Sequence, residues 1–153
     1  MTSRRDFLVT AGNLAGGLVL ASAAGAARAT PAAMQEAIRK VVGSAQIRRG
    51  RVKLEVAPLI DNGNVVPLAV AVESPMTPAD HVKAIHVFAE KNPLPNVLSI
   101  YLGARAGRAR VVTRIRLADT QTVTAIAELS DGSFWTETAD VVVTLSACLE
   151  EVV

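Results

Sequence analysis

The chain predicts an all-β fold, an immunoglobulin-like β-sandwich of about seven strands preceded by one N-terminal helix. Three observations carry this reading. From Arg51 onward the apolar residues recur with a period of two, the mark of strands that show one face to a core and the other to water. Turn signals rich in Pro, Gly, Asn and Asp separate these stretches at regular spacing, as in a sandwich. Only Thr30 to Val42 carries a helical stripe.

Before the helix, Ser3-Arg4-Arg5-Asp6-Phe7-Leu8 fits the twin-arginine export pattern. An apolar run of small residues from Val9 to Ala24 follows, then the small-x-small site Ala27-Arg28-Ala29. The expected organisation is a twin-arginine signal peptide over residues 1–29, a sandwich domain over 30–145 and a cysteine-bearing tail over 146–153. The expected destination is the periplasm, with no membrane attachment after cleavage.

In the helix Thr30 serves as N-cap, Pro31 takes the first helical position, and Ala33, Met34, Ala37, Ile38, Val41 and Val42 form the apolar stripe. Gly43 supplies the stop. Arg51 to Val56 then alternates as a first strand. Asp61-Asn62-Gly63-Asn64 predicts a turn with a left-handed residue at Asn62 or Gly63, and Val65 to Val72 is an apolar strand in which Pro67 asks for an edge or a strand start. Ser74 to Pro78 is a loop, Val82 to Glu90 a strand, Asn92 to Asn96 a proline-rich break, and Val97 to Leu102 a strand ending in the Gly103–Gly107 turn. Arg108 to Leu117 alternates strictly. Gln121 to Leu129 and Phe134 to Leu145 form a hairpin across Ser130-Asp131-Gly132-Ser133.

Charge narrows the function classes. Without Arg4, Arg5, Arg28 and Asp6 the chain carries 13 basic and 13 acidic residues, so its basic pI belongs largely to the leader. Neither nucleic-acid binding nor a polybasic membrane patch is supported. Outside the leader the aromatics are Phe88, Tyr101, Phe134 and Trp135, and the core must be built from Val, Ile, Leu and Ala. No nucleotide loop, Ser/His/Asp constellation or zinc spacing is present. His81 and His86, five apart on one strand, fall on opposite faces, one exposed and one packed, and do not form a metal pair.

Arg108, Arg110, Arg114 and Arg116 share one strand face with Val112. Such a row either meets an acidic partner or oxyanion or is the solvated side of a sandwich. Phe134-Trp135 reads as core or interface packing. The remaining candidate is Cys148, the single cysteine. A lone thiol near a terminus makes no internal disulfide, and in an oxidising compartment it needs a reason to be there.

Several segments together resemble the SoxY family: Asp61 to Pro67, Glu73 to Thr77, Ile85-His86-Val87-Phe88-Ala89-Glu90-Lys91-Asn92-Pro93-Leu94-Pro95, Thr113 to Ala118, Gln121-Thr122-Val123 and Ser130-Asp131-Gly132-Ser133. The likeness runs in order through nearly all of the chain after the leader. SoxY is the sulfur-carrier subunit of the periplasmic thiosulfate-oxidising Sox system. The resemblance implies an immunoglobulin-type sandwich paired as a heterodimer with SoxZ, a second small β protein. It implies a C-terminal Gly-Gly-Cys-Gly-Gly arm that carries thiosulfate-derived sulfur covalently, with no cofactor and no catalytic residues of its own. It also implies transient contact with SoxAX, which loads the thiol oxidatively, with SoxB, which hydrolyses off sulfate, and with SoxCD, which oxidises the remaining sulfur.

On this likeness Cys148 is the covalent attachment site. Ser146 and Ala147 stand where two glycines belong, and Leu149 and Glu150 replace the following pair. The arm is therefore wider than the family's, and Glu150 and Glu151 disfavour a thiolate and repel an incoming dianion. The expectation is a SoxY-like carrier with an altered arm; the alternative is a non-carrying homologue that keeps the sandwich as an interaction module.

Overall fold

A computed structural model describes residues 30–147; the expected leader and Cys148 with the residues after it lie outside that range. Helix α1 (Pro31–Val42) forms as the sequence predicts. The Thr30 side chain accepts from the Ala33 amide at 3.3 Å, Pro31 opens the first turn, and Gly43 closes the helix at φ 63° with its amide on the Arg39 carbonyl. Among the described residues no helix is long and apolar enough to cross a membrane.

The strands are β1 (Ile47–Arg49), β2 (Val52–Val56), β3 (Leu59–Ile60), β4 (Val66–Val72), β5 (Val82–Ala89), β6 (Asn96–Tyr101), β7 (Arg110–Ile115), β8 (Gln121–Leu129) and β9 (Phe134–Val143). They make two sheets. The larger runs β1-β9-β8-β5-β6, with β3 also on β9, and the smaller runs β2-β4-β7. The expected all-β sandwich with a leading helix is what is found, and its seven long strands match the predicted ones within two residues at most ends. The two additional strands, β1 and β3, are short and both pair parallel with β9, at Ile47↔Phe134 and Leu59↔Val142.

Side-chain alternation explains the core. Val66, Leu68, Val70 and Val72 of β4 face Ile85, Val87 and Ala89 of β5 and Val123, Ala125, Ala127 and Leu129 of β8. Of the intervening residues of β5 and β8, Ala84, His86, Phe88, Thr124 and Ile126 are buried as well, Phe88 and Ile126 because α1 lies over them, while Lys83 is exposed and Thr122 and Glu128 are half-buried. Met34, Ile38 and Val42 close over Phe88, Ile126 and Phe134 as a second cluster. Strands covered on both faces read as continuous apolar runs, which is how Val82 to Ala89 reads. Pro67 sits on the central strand β4, opposite Arg114, rather than on an edge, but one residue from the strand's start, where its missing amide costs least.

Neither Asn62 nor Gly63 has a positive φ, contrary to the left-handed residue the turn composition predicts. The loop is held instead by the Asn62 side chain, which accepts from the Asn64 amide at 2.9 Å and from its side-chain amide at 3.1 Å. The glycine has a different cause, described next.

Candidate functional site: the root of the C-terminal segment

After Val143 the last strand ends, yet the chain stays bound to the body. The Thr144 amide donates to the Ile60 carbonyl at 3.0 Å and its hydroxyl to the Asp61 carbonyl at 3.0 Å. The Leu145 carbonyl accepts from the Gly63 amide at 2.7 Å, and the Ala147 amide donates to the Leu117 carbonyl at 3.0 Å. Leu117 in turn donates its amide to the Gly63 carbonyl at 2.8 Å. Ala147, the residue before Cys148, is completely buried.

Three stretches of backbone meet here because Gly63 has no side chain. A Cβ at that position would stand 2.4 Å from the Leu117 carbonyl oxygen, 3.0 Å from the Ala147 nitrogen and 3.0 Å from Val143 Cγ1. Only glycine admits so close an approach of backbone to backbone.

Leu117 is fixed from its other side by two buried amides. Asn92 donates from Nδ2 to the Arg116 carbonyl at 2.8 Å and accepts on Oδ1 from the Ala118 amide at 2.9 Å and from Gln121 Nε2 at 3.0 Å. Gln121 accepts the Lys91 amide on Oε1 at 2.7 Å and donates also to the Asp119 carbonyl at 3.0 Å. Every polar atom of the pair is used, so the connection from β7 to β8 is fixed where it grips the C-terminal stretch. At its rim Lys91 Nζ lies 3.1 Å from Asp119; that contact, with the Thr120 amide, holds the Asp119 carboxyl below its ordinary range.

The other candidate residues lie elsewhere. Arg108, Arg110, Arg114 and Arg116 are exposed along β7 and its flanks, with Val112 71% exposed among them. Only Arg110 has a carboxylate within ion-pair distance among the described residues, Glu55 at 3.9 Å. His81 is half-buried and contacts the Thr77 carbonyl through Nδ1 at 3.1 Å. His86 is 4% exposed beneath Tyr101, its Nδ1 2.8 Å from the Ser99 hydroxyl. Burial pushes the His86 imidazole below its ordinary value, against a weaker opposing pull from Glu128. Phe134 packs under α1, and Trp135 carries the guanidinium groups of Arg51 and Arg48 at 5.3 and 5.8 Å from its ring. Among the described residues no three His, Cys, Asp or Glu side chains gather as metal ligands would.

Sequence reasoning picked out Cys148 but passed over Gly63, Asn92, Leu117 and Gln121. The signals they gave were turn composition, a proline-rich break and a place in the segments that resemble the family, none of which says what the chain then touches.

Comparison with known proteins agrees with this architecture. The family described as sulfur oxidation protein SoxY matches residues 38–148. Among solved structures, the sulfur carrier protein SoxY from Chlorobium limicola f thiosulfatophilum superposes with a TM-score of 0.63 at 24% identity, over 74% of this chain and 98% of that one. Superoxide reductase (neelaredoxin) from Ignicoccus hospitalis gives 0.55 at 14% identity, over 61% and 80% of the two chains. Superoxide reductase from Nanoarchaeum equitans gives 0.53 at 13%, over 63% and 100%. At these identities the structural likeness shows the fold alone. No curated protein matches the chain.

Proposed function

Because the chain belongs to the SoxY family of sulfur oxidation proteins, we propose that it is a periplasmic carrier that holds thiosulfate-derived sulfur covalently on Cys148 and presents it to partner enzymes. The observation that carries this reading is one of position. The single cysteine is the last residue of the matched stretch and directly follows the anchored Ala147. The chain would leave the cytoplasm through the twin-arginine route, lose residues 1–29, and pair with a SoxZ-like protein.

The chemistry needs a thiolate. Its sulfur joins the outer sulfur of thiosulfate in a new S–S bond while two electrons leave to an oxidising haem partner of the SoxAX kind. Water then cleaves the terminal sulfonate as sulfate, with release of two protons, and a persulfide stays on the cysteine for a SoxCD-like enzyme. The carrier contributes the thiol and its placement; the oxidant and the hydrolase are separate proteins.

The test is the mass of the intact protein after exposure to thiosulfate and the oxidising partner. An adduct mapping to Cys148, removed by a reductant and absent in Cys148→Ser, is the expected result. A partner active on another carrier that leaves Cys148 bare would overturn it and favour the interaction module, for which Leu149 and Glu150 in place of glycines are the supporting observation.

A further inference from the structure

The grip on Ala147 is stronger than the end of a strand requires. A strand that has finished its pairing leaves its last residues to water, and terminal residues fray unless tied down. Here three backbone hydrogen bonds and the Thr144 hydroxyl hold residues beyond Val143, and the tie ends one residue before the sulfur. The carbonyl that takes the Ala147 amide belongs to Leu117, whose own position is set by Gly63 on one side and by the Asn92–Gln121 pair on the other.

We propose that Gly63 is a positioning residue: it clasps the chain between Leu145 and Ala147, so that Cys148 is presented on a short tether at a fixed point beside the 61–65 loop and the 117–120 connection. The functional meaning rests on the carrier reading above; the clasp itself does not. The length at stake is large. If residues 144–147 were released, the tether would gain four residues, about 14 Å of reach at roughly 3.4 Å per extended residue. A clasped carrier brings the sulfur to an enzyme that docks against this end of the sandwich. An unclasped one threads a longer arm into a deep channel. Ser146 and Ala147 suit the clasp where the family's glycines would suit the thread, since Ala147 is packed away and each non-glycine residue has less conformational freedom to lose.

Two variants and one control test this. Gly63→Ala forces a Cβ against the Leu117 carbonyl. Ala147→Pro deletes the amide that Leu117 holds and leaves the body of the sandwich untouched, so it serves if Gly63→Ala does not fold. Gly103→Ala is the control, because a Cβ there meets nothing within 4 Å. The readouts are hydrogen exchange at the Ala147 or Gly63 amide and the mobility of a nitroxide on Cys148, the single cysteine. In the parent and in Gly103→Ala the amides are protected and the label is restricted. In Gly63→Ala the Ala147 amide exchanges roughly tenfold faster or more, as overpacking shifts the local opening equilibrium, and in either clasp variant the label is freed. Loading by the partner enzyme then falls, while alkylation by a small neutral reagent does not. An Ala147 amide that is unprotected in the parent, or a label equally mobile in the parent and Ala147→Pro, overturns the clasp. A protein that is clasped but never loaded overturns the carrier reading and leaves the clasp standing, whereas a released variant that loads at the parent rate overturns the positioning role and leaves the carrier reading standing.

Discussion

Burial of His86 beneath Tyr101 has a consequence that pH can read. The imidazole is 4% exposed, and burial favours its neutral form, so its folded value lies below the ordinary 6.5. The unfolded chain then binds more protons than the folded one as pH drops below about 6.5, and stability must fall in that direction. The contribution is complete at neutral pH and is lost as pH falls from the unfolded value through the folded one. From one group the slope is at most about 1.4 kcal/mol per pH unit. Urea midpoints measured between pH 7.5 and 5.5 should decline in the parent and decline less in His86→Gln, which keeps a polar group opposite Ser99. Equal slopes in the two proteins would place the proton uptake on another group.

At the scale of single elements, α1 makes the larger sheet a two-sided layer. Ile38 is 8% exposed and sits between Met34 and Val42 over Phe88, Ile126 and Phe134. Truncating it to alanine removes most of a buried side chain, and Ile38→Ala should cost about 2–4 kcal/mol in denaturant unfolding. Gln35→Ala, on the exposed face of the same helix, should change stability by less than about 0.5 kcal/mol. If Ile38→Ala were as mild, the helix would be an ornament on a sheet able to stand alone.

Alpha1 was legible in the sequence because its cap, stripe and stop are local. The long strands were legible because alternation is local too. The short strands β1 and β3 were not, since two or three residues such as Leu59–Ile60 have no period to detect, and their partner β9 lies far along the chain. The same limit hid the root of the C-terminal segment. Asp61-Asn62-Gly63-Asn64 announces a turn, but Gly63 is glycine because of Leu117 and Ala147, which only the finished fold brings beside it.

The whole molecule is unevenly covered. The outer face of the β1-β9-β8-β5-β6 sheet lies under α1, while the outer face of the β2-β4-β7 sheet carries no element among the described residues, and Val112 stands 71% exposed on it. The open strands β2 and β7 carry Lys53, Glu55, Arg110 and Arg114, charges that discourage indiscriminate edge pairing. A small sandwich guarded in this way is suited to one chosen companion rather than to self-association, and the proposed SoxZ-like partner supplies it. Co-expression followed by size-exclusion chromatography with light scattering should then return a 1:1 complex. Because pairing would belong to the sandwich and carrying to the tail, Cys148→Ser should form that complex to the same extent as the parent, and so should Ala147→Pro. A protein that stays monomeric beside its partner would remove the heterodimer. A complex that forms only when the cysteine is intact would instead mean that the tail lies within the interface, which is incompatible with a sulfur free to meet successive enzymes.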